Sequence, residues 1–138
     1  MTAAISRAVG PAGPSTIGAV MSSAGGHRTL DAREAAGIRD ALGAHASTAP
    51  VSTIKGNLGE TQGANGALAT IVMLEALRTR RLPPIAGLEH PDASATLDFV
   101  TGSAREIKAS RALVTALSRE GNACALVIAA ADGAASRP

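Results

Sequence analysis

The sequence has no Trp and no Tyr, a single Phe and a single Cys. Without Trp or Tyr there is no stacking platform for single-stranded nucleic acid. The one basic cluster, Arg78, Arg80 and Arg81, reads as a solvated helix end, where cations suit the helix dipole. A net charge of only +2 gives no electrostatic footprint for nucleic acid, which is therefore not expected as a partner. A lone Cys124 excludes an intramolecular disulfide and a multi-Cys zinc site, and makes a reducing compartment, the cytoplasm, the default. No apolar run reaches about 18 residues without a charge, and Met1 to Gly10 has no signal-peptide core. Neither export nor a membrane span is expected.

Hydrophobic residues still make up 46% of the chain, so the core must be built from Ala, Val, Leu and Ile. The length suits one domain, taken as residues 1–130 with a flexible tail at 131–138. Ala3 to Val9 predicts a short helix stopped by Gly10, and Pro11, Gly13 and Pro14 force a loop. A strand is expected over Thr16 to Met21, then a loop from Ser22 to Leu30. Asp31 opens a helix to Leu42 with Ala35, Ile38 and Leu42 on one face.

Val51 to Ile54 is β-prone, and Lys55 to Gly66 reads KGNLGETQGANG, a glycine-dense turn. It feeds the longest apolar segment, Ala67 to Leu77 (ALATIVMLEAL), whose only charge is Glu75. Such a helix needs cover on nearly every side. Leu82 to Pro84 ends it, a weak strand falls at Leu97 to Val100, and Ala112 to Leu117 with Ala123 to Ala130 predicts a hairpin. The order describes an α/β layer with a mixed sheet and a core free of polar intrusions. One sheet covers one side of the apolar helix. The other side calls for a second layer that the remaining residues are too few to supply, hence for a partner chain.

Four segments carry a resemblance to a known family. VSTIKGNLGETQGANG, Val51 to Gly66, resembles the strand, Lys, Gly-rich turn, His and small-residue helix start of the β-ketoacyl synthases. LPPIAGLEHPDASATLDFV, Leu82 to Val100, is similar to their proline-paired connection, and DAREAAGI and NACALVI fit their places. The match is to the C-terminal half and spans nearly the whole chain. It implies a thiolase-like half-domain, a mixed sheet with a buried central helix, completed by a partner chain that supplies the second sheet and the nucleophilic Cys.

The resemblance also locates departures. Counting back from Asp31, the family's first catalytic His falls on Ser23, with His27 where a small hydroxyl residue is usual; the second falls on Glu60. Leu117 to Gly121 replace the Phe- and Gly-rich loop, and only Lys55 of the polar constellation remains. Condensation needs donors aimed at a thioester oxygen as charge grows on it. An ionised Glu60 has no proton to donate and repels a malonyl carboxylate, and Ser23 cannot replace an imidazole. Glu60 stands either as a base anchored by Lys55 in some other acyl transfer or, more simply, as an ion pair or helix cap.

No cofactor or metal is expected: His27, His45 and His90 are scattered, and the glycines around Gly63 and Gly66 lack phosphate-loop spacing. Cys124, in an alternating apolar strand, reads as a buried small hydrophobe rather than a nucleophile. Three functions follow. The first is a non-catalytic, chain-length-factor-like half-subunit in fatty acid or polyketide synthesis, inactive alone, that pairs with a ketosynthase-like N-terminal half or a full-length ketosynthase and docks an acyl carrier protein. The second is a split synthase with Ser23, Lys55 and Glu60 lining a shared site. The third is a free-standing interaction module.

Overall fold

A computed structural model describes residues 1–130; the tail expected at 131–138 lies outside the described residues. Helix α1 (Thr2–Val9) stops at Gly10, as expected, and two 3-10 turns, Gly10–Ala12 and Pro14–Thr16, carry the chain to β1 (Val20–Met21). The predicted strand from Thr16 is thus cut short, because Pro14 starts a turn. Gly18 nevertheless donates to the Arg111 carbonyl at 2.9 Å. A Cβ at position 18 would lie 2.6 Å from that of Ala109, so only glycine lets the two segments touch.

Helix α2 runs Arg28–Leu42 and begins three residues before the predicted start. Its cap is His27, whose Nδ1 accepts the Leu30 N–H at 3.4 Å. Asp31 turns back instead to accept the N–H groups of Gly25 and Gly26, at 3.3 and 2.8 Å. Strand β2 (Pro50–Ser52) is followed by a short helix α3 (Lys55–Leu58) inside the glycine-dense turn, then by α4 (Asn65–Thr79). The prolines do not end α4: it stops at Arg80, which takes a left-handed φ of 55°, and Pro83 and Pro84 come after β3 (Arg81–Leu82).

Strand β4 is Asp98–Phe99, β5 is Arg105–Glu106, and the expected hairpin is β6 (Arg111–Leu117) with β7 (Ala123–Ala129). The main sheet has the order β4-β2-β1-β6-β7, and β3 and β5 form a separate antiparallel ribbon. Strands β4, β2, β1 and β6 run parallel, while β7 returns antiparallel to β6, so the sheet is mixed.

The sheet divides the core in two. On one face Val20, Val51 and Leu113 meet α1 and α2 through Ile5, Ile38 and Leu42. On the other, Met21, Ala112 and Val114 meet α4 through Ala69, Met73 and Leu77. As expected, the chain itself covers α4 on one side only. Away from the sheet-facing Met73, Ile71 is 62% exposed and Leu74 47%. The core also holds a polar intrusion that the sequence reading did not anticipate, Glu34, only 2% exposed.

Cys124 is exposed, contrary to expectation. It sits on the edge strand β7, and α4 packs over β6 and β1, leaving that end of β7 uncovered. Among the described residues, no helix is long and apolar enough to cross a membrane.

Candidate functional site

Parallel strands bring the residues that follow them to one end of the sheet. Ser23 follows β1, Lys55 follows β2, and the β6–β7 turn stands beside them. Ser23, Lys55 and Glu60 therefore line one cavity of about 870 Å³ with the turn residues Ser118 to Glu120. Gly25 makes room for Lys55: a Cβ there would come 3.0 Å from the lysine Cδ.

Lys55 and Glu60 are joined. The ammonium donates to Glu60 Oε2 at 2.7 Å, and Glu60 Oε1 accepts the Gln62 N–H at 2.7 Å. The Lys55 hydrogen bond, reinforced by the Gln62 N–H, holds the Glu60 carboxyl below its ordinary value. Glu60 is thus an anionic acceptor with no proton to give, and the opposite of a group poised to take one near neutrality. It sits in an ion pair and closes a turn.

Ser23 faces a different partner. Its N–H and its hydroxyl both donate to Glu34 Oε1, at 2.9 and 3.1 Å, and Thr115 Oγ1 donates to the same oxygen at 2.6 Å. Leu117 N–H in turn donates to Ser23 Oγ at 3.0 Å. The Ser23 proton is therefore committed to a buried carboxyl, and its oxygen to the strand β6. Burial pushes the Glu34 carboxyl up, against the pull of the Thr115 and Ser23 hydrogen bonds. Neither position equated with a catalytic His offers a free donor to an oxyanion.

Sequence reasoning missed two members of this site. Glu34 ties α2 to β1 and β6, and Asn65, 6% exposed at the start of α4, lines the cavity with its Oδ1 unpaired. Each stands four residues before a core residue, Glu34 before Ile38 and Asn65 before Ala69, which is the signal that places a polar side chain on a buried helix face. Cys124 lies on the cavity wall. Among the described residues, no three His, Cys, Asp or Glu side chains gather as a metal site. His45 is engaged with the Ile17 carbonyl at 2.6 Å.

Residues 1–89 match the family described as Beta-ketoacyl synthase, C-terminal domain. A putative polyketide β-ketoacyl synthase 1 from Streptomyces cyaneus is 38% identical over 92 residues, which cover 67% of this chain and 22% of that protein. A 3-oxoacyl-[acyl-carrier-protein] synthase 2 from Coxiella burnetii is 42% identical over 78 residues, covering 56% and 19%. A β-ketoacyl synthase from Burkholderia phymatum superposes with a TM-score of 0.77 at 26% identity, over 92% of this chain and 32% of that one. The ishigamide ketosynthase/chain length factor superposes at 0.78 and 24% identity, over 84% and 28%. The chain spans about a quarter of the length of these relatives, and its fold is that of the thiolase-like ketosynthases.

Proposed function

Because the chain belongs to the β-ketoacyl synthase family, through that family's C-terminal domain, we propose that it is a non-condensing, chain-length-factor-like half of a ketosynthase assembly. Residues 1–130 act as one unit in this role. A ketosynthase-like N-terminal half on a partner chain, or a full-length ketosynthase, covers α4 and supplies the nucleophile. The assembly works in the cytoplasm on acyl groups carried by an acyl carrier protein. One solved relative is described as a type II polyketide synthase acyl-carrier protein in complex with its ketosynthase, and the ishigamide relative as a ketosynthase/chain length factor.

The observation that carries this reading is the outer face of α4, where Ile71 and Leu74 stand exposed on a helix whose inner face is already in the core. Burying two such side chains contributes roughly 2–4 kcal/mol towards a defined complex, to which the rest of the interface adds. The chemistry supports a supporting rather than condensing role, since the Ser23 hydroxyl is committed to Glu34 and Glu60 is an anion paired with Lys55.

Co-expression with ketosynthase-like proteins encoded beside it, followed by light scattering and a malonyl-carrier decarboxylation assay, tests both parts. We expect a defined hetero-complex whose activity is unchanged by Glu60→Ala. A stable monodisperse monomer that ignores every candidate would overturn the assembly. Loss of turnover in Glu60→Ala, with the complex intact, would instead establish a split synthase whose site is completed across the two chains.

A further inference from the structure

The hydrogen-bond phase of the β6–β7 hairpin decides where the backbone of β7 points. At the two ends of the ladder the Ala130 N–H donates to the Ser110 carbonyl at 2.8 Å, and the Ser118 N–H to the Asn122 carbonyl at 2.9 Å. Both are hydrogen-bonded pairs, and in an antiparallel ladder such pairs recur at every second residue. Cys124, Leu126 and Ile128 therefore spend their N–H and C=O groups on β6. The odd residues, Ala123, Ala125, Val127 and Ala129, turn theirs outward. Because β7 is the last strand of the sheet, these four N–H and four C=O groups have no partner strand among the described residues.

The side chains fit a particular occupant for this edge. The strand is ACALVIA, so an identical strand laid beside it meets no charge of its own sign. Leu126 stands at the middle and is 45% exposed. It shares the α4 face of the sheet with Ile128, but α4 lies over β6 and β1 and does not reach it. A two-fold axis at Leu126, perpendicular to the sheet, sets β7 antiparallel to β7 of a second copy. Ala123 then faces Ala129 of the copy and Ala125 faces Val127, each pairing occurring twice, so every outward group is matched and eight hydrogen bonds form. Leu126 meets its own copy as a non-hydrogen-bonded pair, the closer kind, with Cα atoms about 4.5 Å apart. An axis moved to Ala125 or Val127 leaves outward groups unmatched and separates the two leucines.

We propose that β7 joins two copies of this chain in a closed, two-fold dimer, in register at Leu126. The contact is made by backbone at the end of the sheet and not by the outer face of α4, so it stands or falls independently of the assembly proposed above.

The full chain carrying Ile71→Glu and Leu74→Glu, which removes association through α4, is followed by sedimentation equilibrium. We expect twice the chain mass at high concentration, with a Kd on the order of 10–100 μM for so small an interface. Ala125→Pro removes one outward N–H, leaves the ladder to β6 intact and should abolish the dimer with circular dichroism unchanged. The register has its own readout. In a Cys124→Ser background, Leu126→Cys should crosslink under oxidised glutathione, because a disulfide spans that Cα separation. Ala123→Cys should not, since its copies lie six residues apart along the strands, roughly 20 Å. Amide exchange at Ala125 and Val127 should slow as concentration rises, while that at Leu126 and Ile128 stays as it is. A monomer at every concentration, a dimer indifferent to Ala125→Pro, equal crosslinking at both positions, or outward amides already protected in the monomer would each overturn the proposal.

Discussion

On the face of the sheet that carries α1 and α2, the helices turn polar groups outward: Arg33 and Asp40 are exposed while Ile38 and Leu42 are buried. On the other face α4 buries Met73 and Ala76 against the sheet and turns Ile71 and Leu74 out. The first face is finished for water and the second is not. The difference separates two kinds of layer, an outer one that ends the molecule and an inner one built to be covered twice. Small core side chains fit the proposed arrangement, because a helix that a partner's sheet is to cover from the other side leaves little room for rings.

The sharpest way to break the comparison is to place charge on each face. Ile71→Glu with Leu74→Glu should weaken hetero-complex formation at least about a thousandfold in a quantitative pull-down while leaving the circular dichroism of the chain unchanged. Arg33→Glu on α2 should do nothing measurable to assembly. Equal losses from both would mean that the faces are not distinct.

Next in size, Met73→Ala removes a fully buried side chain from the inner face of α4 and should cost about 3 kcal/mol in urea unfolding. Leu74→Ala, on the open face, should cost less than about 1 kcal/mol in the isolated chain. In the complex the two costs should converge.

Two carboxyls give opposite pH signatures and sharpen the contrast between buried and open ground. Burial holds Glu34 above 4.5, so folding favours its protonated form. The stability it lends is present below pH 4.5 and lost as pH rises through the folded-state value. Glu34→Gln stays neutral, so its urea midpoint should remain flat across the interval in which that of the wild type falls. The Lys55 hydrogen bond holds Glu60 below 4.5, so its contribution is present above that value and fades as pH falls through the folded-state value. Glu60 is largely solvated, with 58% of its side chain exposed, and solvent screening limits Glu60→Gln to less than about 0.5 kcal/mol. A larger loss would show that the pair braces the cavity.

Much of this architecture was legible in the sequence, and the reasons differ by element. α2 and the β6–β7 hairpin carry clear periods of 3.6 and 2, and α4 was legible because an apolar run that long has one stable home. The ribbon of β3 and β5 was invisible: two-residue strands have no period, and Arg81 meets Glu106 only through the tertiary fold. Lys55 and Glu60, five residues apart around a tight turn, were readable as a pair, whereas the hold of Glu34 on Ser23 and Thr115 joins three distant segments. Cys124 was misplaced because alternation shows which residues share a face, not whether anything lies over it.

The sheet also ends unequally. Its β4 rim is two residues long, but β7 offers seven, Ala123 to Ala129, without a single Lys, Pro or charged side chain. Such a rim is a template on which another strand can add, chain after chain. Among the described residues there are thus two independent routes to association, one through side chains at α4 and one through backbone at β7. A partner that covers α4 shuts the first and leaves the second open. Leu126→Lys, on the exposed side of β7, should shut the second, seen as slower growth of thioflavin-binding aggregates with assembly through α4 unaltered.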